Sequence, residues 1–340
     1  MFSGWGWFAR NNLQWRTEDA QHAIAEELEG RVLFSRVSIV EFSLPPGSGP
    51  GDLVAGPDGN MWFCENGSGK LGEVTPSGQI TQYQIPTPNS HPAGLTVGLH
   101  GAIWFVEHTG NRVGRFYHGK FREYEIPTAM AAPVTIVAGP DGNMWFTERT
   151  ADKIGCITPL GVITEYDVAP ATSAVLGITS ADGFLWFTES SGNVIGRLST
   201  TGQLTTYTIP TAYSWPMLIT TGPDGNLYFA EQTADKIGEY YLSGPNAGTF
   251  RETPVPTPLA QPEVVTTGPD GNIWFSEFTN GTGGKIGRLN SDGTIQEWSL
   301  STANSGPLGV ATGADGHLWF TENTGNEVGY MSFRVKRTRR

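Results

Sequence analysis

The sequence predicts an all-β fold: a seven-bladed β-propeller of four-stranded antiparallel blades, with a short helical extension before it. Three observations predict this. An aromatic residue recurs at Trp62, Trp104, Trp145, Trp186, Tyr228, Trp274 and Trp319, at intervals of 42, 41, 41, 42, 46 and 45 residues, and a sustained period near 40–45 marks a repeat array. Glycine supplies 45 of 340 residues, about twice the usual share, without the Gly-X-Y period of collagen. Within each copy, turn signals cut the chain into four short β-rich pieces, the content of a propeller blade and not of a helical solenoid.

The elements follow in chain order. The opening MFSGWGWFAR has neither the basic start nor the apolar run of a secretory signal. The expected location is cytoplasmic, or secreted if the natural start lies upstream. Thr17 caps an expected helix through Glu29, with Glu18 and Asp19 in its first turn and Gly30 just beyond. This places an N-terminal extension at 1–36, the propeller at 37–333 and a basic tail at 334–340. In a blade, a first strand such as VTIVA meets a Pro-Asp-Gly turn whose glycine allows a positive φ. The apolar run MWF, IWF or LYF is the second strand, and a polar loop leads to a third such as KIGRL. A second turn precedes the fourth, ITQY or LTTY. The seventh copy stops after Tyr330 without its fourth strand. Val37–Pro45, VSIVEFSLP, matches that missing piece and is expected to close the ring.

Charge and cysteine usage narrow the function. A formal net charge of −12 repels phosphate backbones and anionic lipid surfaces, so neither nucleic acid nor membrane is expected as a partner. Two cysteines, Cys64 and Cys156, make no disulfide framework and no four-cysteine zinc site. No His/Cys cluster has zinc spacing, and no Gly-Lys-Ser/Thr phosphate loop or Gly-x-Ser-x-Gly elbow appears. The sequons at Asn66 and Asn280 fall in blade loops.

The repeats GPDGNMWFTE–ADKIGCITPLGVITEY and GADGHLWFTE–TGNEVG resemble those of the streptogramin B lyase (virginiamycin B lyase) family over nearly all of Val37–Phe333. The resemblance implies a seven-bladed propeller that opens a cyclic depsipeptide by elimination with a magnesium ion. It also implies catalytic histidines just before the innermost strands of blades six and seven. At those positions this sequence carries Glu263, in Gln261-Pro262-Glu263, and Leu308, in Gly306-Pro307-Leu308. Gly306 stands where the resemblance implies a metal-binding glutamate. Leucine takes no proton, so the family's elimination is not expected to run here in its usual form.

In a propeller the repeated residues build blades, and those that break the repeat are candidates for a site. The glutamate after each aromatic pair (Glu65, Glu107, Glu148, Glu189, Glu231, Glu277, Glu322) recurs in every blade. It is expected to be a structural ring that satisfies loop N–H groups. The start of each innermost strand instead varies: Asp52 in blade one, His91 in two, Val134 in three, Leu176 in four, Tyr213, Trp215 and Met217 in five, Gln261 and Glu263 in six, Leu308 in seven. This mostly apolar set suits a small, apolar organic substrate held by a few hydrogen bonds. Glu263 and His91 are the candidate catalytic groups, because burial among Trp215, Met217 and Leu308 raises a carboxyl's pKa and histidine titrates near neutrality. The remaining positions are candidates for substrate binding.

Three functions are compatible with these residues. The first is a monomeric small-molecule enzyme without cofactor, a cyclase or lyase of natural-product type. Propellers similar to this scaffold include hetero-Diels–Alder cyclases, in which orientation and one polarising hydrogen bond supply the acceleration. The second is a magnesium-dependent streptogramin B lyase with relocated catalytic groups. The third is a non-catalytic propeller that binds a ligand or a protein.

Overall fold

The computed structural model describes residues 34–168, 173–278 and 284–335. The expected helix before Gly30, the sequon at Asn280 and the tail beyond Val335 lie outside these residues. Among the described residues the chain forms seven four-stranded antiparallel sheets. In blades one to six the four strands are consecutive in the chain, and each innermost strand packs on the innermost strands of its neighbours. The seventh sheet is made of Pro307–Thr312, Leu318–Glu322, Glu327–Val335 and, as its outermost member, Phe34–Ser43. The missing fourth strand is therefore supplied by the first described strand, as the repeat pattern requires. The strand begins at Phe34, three residues before the expected boundary.

The second strand of every blade is buried along its whole length, except for the half-buried Phe184 that starts it in blade four. The tip of its phenylalanine ring lies against a glycine of the third strand. A Cβ at Gly72 would sit 2.2 Å from the ring of Phe63, and one at Gly155 would sit 2.1 Å from that of Phe146. Only glycine permits that approach, which explains its recurrence in the KIGRL pieces. In blades one, three, six and seven the preceding tryptophan donates its indole N–H to the turn aspartate, at 3.0 Å from Trp145 to Asp141 and 2.8 Å from Trp274 to Asp270. The turn aspartate thus serves the blade core as well as the turn.

The glutamate ring departs from expectation. Its seven carboxyls are buried, but the loop N–H groups are satisfied by a second set of glutamates on the outermost strands. Thr87, Thr128, Thr211 and Thr257 donate their N–H to Glu123, Glu165, Glu252 and Glu297, at 3.1, 2.9, 3.0 and 3.1 Å. The ring glutamates face these carboxyls from one strand away. Burial first, and then the facing carboxyl, pushes Glu107, Glu148, Glu231 and Glu277 up to about 8. Neither oxygen of any of the four has a hydrogen-bond partner, and a protonated carboxyl has an O–H with which to donate to the carboxyl it faces. Blade one replaces the facing carboxyl with an amide: Gln82 donates to Glu65 at 2.7 and 2.9 Å.

Candidate functional site

Each innermost strand starts the same way. The residue before its first position takes a left-handed backbone: Gly49, His91, Ala132, Ala174, Trp215, Gln261 and Gly306 all have φ between 47° and 57°. Five of these are not glycine, a conformation that costs an L-residue about 1 kcal/mol. After the first position the ladder with the second strand skips two residues, giving a bulge such as Pro262/Val265 in blade six. Bulges commonly sit beside functional sites because they re-aim side chains. Here they release Glu263, Met217, Leu308, Leu176, Val134 and Asp52 from the regular ladder at one end of the innermost strands.

In several blades the bulge is held by a hydroxyl of the second strand. Thr188 accepts the N–H of Gly177 at 2.9 Å and donates to the Met217 carbonyl of the next blade at 2.5 Å. Thr321 does the same between Gly309 and Gly51, at 2.9 and 2.6 Å. Blade one has Cys64 at this position, and Asp52 takes over the link. It accepts from Leu95 N–H of blade two at 3.3 Å and from Leu53 N–H at 3.0 Å. Burial raises the Asp52 carboxyl to about 6 against these two bonds. Asp52 is therefore already engaged in joining two blades.

Glu263 is placed differently. Its Oε1 accepts a 2.6 Å hydrogen bond from the Gln232 amide. Burial lifts its pKa to about 7, and that bond pulls the other way. Gln232 follows the ring glutamate of blade five, and its own N–H donates to the Trp215 carbonyl at 3.1 Å. Trp215, Gln232 and Glu263 therefore form one connected group across blades five and six. Trp215, Met217 and Leu308 are half-buried, as is Val134. Met217 packs against the apolar core shared by blades five and six. Leu176 is buried, and Tyr213, 89% exposed, is in solvent. His91 is exposed in blade two, three blades from Glu263 by the shorter way round. Gln261 accepts the N–H of Phe278 at its carbonyl, at 3.3 Å.

The sequence reading missed Gln232. The residue after each ring glutamate varies as freely as the strand starts: Asn66, His108, Arg149, Ser190, Gln232, Phe278, Asn323. Three of these bind the carbonyl that opens the next blade's innermost strand, His108 at 3.2 Å, Ser190 at 2.7 Å and Asn323 at 3.1 Å. Gln232 instead meets a side chain, because Glu263 intercepts it. That variability was the signal in the sequence that pointed to it.

The sequence profile of the virginiamycin B lyase family matches residues 10–181 and 168–338. The chain belongs to that family. A solved streptogramin B lyase is 37% identical to it, superposes with a TM-score of 0.82, and is matched over 88% of this chain and 98% of its own. Virginiamycin B lyase from Staphylococcus aureus is 34% identical, with a TM-score of 0.82 over 87% and 99% of the two chains. A catalytically inactive histidine-to-alanine variant of the S. aureus enzyme, solved with quinupristin, is 33% identical with a TM-score of 0.81 over 87% and 99%. None of the curated proteins compared matches the chain. Among the described residues no helix is long and apolar enough to cross a membrane.

The magnesium ion that the family implies does not fit the residues present. Gly306, at the position of the implied metal-binding glutamate, offers no side-chain donor. A Cβ there would stand 2.6 Å from the Thr324 hydroxyl, on a backbone with φ +57°. Leu308 offers no donor either. Among the described residues no cluster of three His, Cys, Asp or Glu side chains has the geometry of a metal site.

Proposed function

We propose that this chain is a small-molecule enzyme of lyase type in which Glu263 is the acid–base group and Gln232 its positioning residue. The observation that carries this reading is the Gln232–Glu263 pair itself. Among the described residues it is the break in the repeat at the start of an innermost strand that joins a carboxyl to an amide, and Trp215, Met217 and Leu308 at the matching strand starts are half-buried. A carboxyl with a pKa of about 7 is about half protonated at neutral pH, the condition in which one group serves as both base and acid. As carboxylate it takes a proton from a carbon beside an activating carbonyl. The electron pair left behind forms the new double bond as the leaving group departs, and the protonated Glu263 returns its proton to the leaving oxygen. Trp215, Met217 and Leu308 favour an apolar substrate and lower the dielectric around that transfer.

A cyclisation is the second reading. It is favoured by the isolation of Glu263, whose candidate partner His91 lies three blades away. A cycloaddition needs only orientation and one hydrogen bond, donated by protonated Glu263 to a carbonyl of the substrate. The family's inactive variant lacks a histidine, and neither position implied for that residue carries one here, so an unmodified streptogramin B lyase activity is not expected.

The test is to incubate the protein with quinupristin and with a panel of apolar esters and polyenes, with and without chelator, followed by mass spectrometry. Chelator-resistant conversion of an apolar substrate that is lost in Glu263→Gln supports the proposal. A new alkene with release of the leaving oxygen as a hydroxyl or acid marks elimination, and a product with a new ring and nothing released marks cyclisation. Chelator-sensitive opening of quinupristin, or tight binding with no conversion of any compound, overturns the proposal in favour of a streptogramin lyase or a binding propeller respectively.

A further inference from the structure

We propose that blade two carries a second binding site, for a small anion with an apolar body, at the end of the propeller opposite Glu263. The repeat supplies the comparison. In blades one, three, four, five, six and seven the turn after the innermost strand carries an aspartate: Asp58, Asp141, Asp182, Asp224, Asp270 and Asp315. In blade two the same position is His100, with φ 63°, in the turn Leu99–Gly101.

The missing carboxylate leaves an arginine uncompensated. In blade six Arg288 meets the turn aspartate Asp270 at 2.9 Å in a buried ion pair. Arg115 occupies the matching register position in blade two, opposite Trp104 as Arg288 is opposite Trp274. Its guanidinium lies over the rings of Trp104 and Tyr117, 5.6 and 5.0 Å from their centroids, as that of Arg288 lies over Trp274 and Trp298, but no carboxylate of the turn is there to meet it. Across the ladder it faces Arg122. Like charges directly opposite on a sheet are destabilising, and this pair stands in a chain whose net charge is −12.

Two recesses meet at Arg115. One is lined by Arg115, Tyr117, His118, Lys120 and Arg122, with no carboxylate. The other is largely apolar, lined by Leu99, Trp104, Met144 and Pro159 beside His100 and the same Arg115. The nearest acids of blade one, Asp58 and Glu73, are already engaged by the Trp62 indole and by Tyr83 and Asn60. A phosphate, sulfate or carboxylate joined to an aromatic or alkyl body matches both recesses: the oxyanion bridges Arg115 and Arg122, and the body lies against Trp104 and Leu99. Arginine's planar fork is the group suited to oxyanions in that arrangement.

The experiment is calorimetric titration of the full chain with 1-naphthyl phosphate, with inorganic phosphate and 1-naphthol as partial probes and phosphatidate vesicles as a lipid arm. The intact probe is expected to bind more tightly than either part. Arg115→Gln and Arg122→Gln are each expected to weaken it about tenfold or more, the scale of one charge-assisted hydrogen bond. His100→Asp, which restores the aspartate of the other blades, is expected to hold Arg115 and abolish binding while leaving thermal stability equal or higher, so that loss of binding is separated from loss of fold. Absence of binding by every soluble probe, unchanged affinity in the Arg115→Gln/Arg122→Gln double variant, or capture by vesicles alone would overturn the proposal.

Discussion

Glu148, in the repeated ring, and Glu263, at the start of blade six's innermost strand, are both carboxyls that burial pushes upward, to about 8 and about 7. Their settings differ in what holds them. Glu148, on the second strand, interacts with Glu165 and Lys153, and its counterparts in blades two, five and six repeat that combination of a carboxyl and a cation. Glu263 is held by one amide, Gln232, and among the described residues no other innermost strand opens on such a pair. A raised pKa therefore does not by itself mark a working group. The same desolvation that poises a catalyst also keeps a proton inside a blade, and position and partners decide between the two.

The comparison is broken most readily at Glu263. Glu263→Gln keeps the shape and removes the proton. Turnover is expected to fall by about 100-fold or more, the range of general acid–base contributions, with thermal unfolding unchanged. A loss of activity accompanied by early unfolding would return Glu263 to the scaffold. Gln232→Leu sharpens the point: it deletes the bond that lowers the Glu263 pKa, so the pH–rate profile is expected to move to higher pH. An unmoved profile would deny Gln232 its positioning role.

The ring is tested through stability. Glu107, Glu148, Glu231, Glu277 and Glu322 keep their protons to about pH 8 in the folded chain, against a reference value of 4.5. The folded state thus binds more protons than the unfolded state across that window, and stability is expected to fall as pH rises through it. The urea midpoint at pH 8.5 is expected below that at pH 6. Glu252 and Glu297 act in the opposite sense. Although burial raises them, hydrogen bonds from Thr211 and Thr257 and the charges of Lys236 and Lys285 bring them below the usual range, so their contribution is lost only in acid. A midpoint that rose between pH 6 and 8.5 would contradict the shared-proton account. The smallest expected effect is Glu148→Gln, which gives blade three the carboxyl–amide pairing of blade one. It is expected to raise stability at pH 8.5 by on the order of 1 kcal/mol and to change little at pH 6.

How much of this was legible in the sequence depended on repetition. Seven aromatic positions, the turn glycines and the stray strand before Leu44 determined the blades and their closure, because each rests on a local rule applied seven times. The ring glutamates were visible, but their partners were not. Glu165 and Glu252 come from a different strand of the same blade, and only the cross-strand register sets them against the ring. The candidate site was legible by half. Glu263 and Trp215 stand out as departures from the repeat, whereas Gln232 lies 31 positions from Glu263 in the chain and joins it only when blades five and six pack together. The link that Asp52 makes between blades one and two, where blade one has Cys64 in place of the threonine, also needed the packed blades to be visible.

The most direct measurement is a side-by-side assay of wild type, Glu263→Gln and Glu148→Gln on an apolar substrate that the wild type converts, at pH 7 in the presence of chelator. Activity in the wild type and in Glu148→Gln, with none in Glu263→Gln, is the predicted result. Equal losses in the two variants, or full activity in Glu263→Gln, would contradict the separation of a working carboxyl from a structural ring.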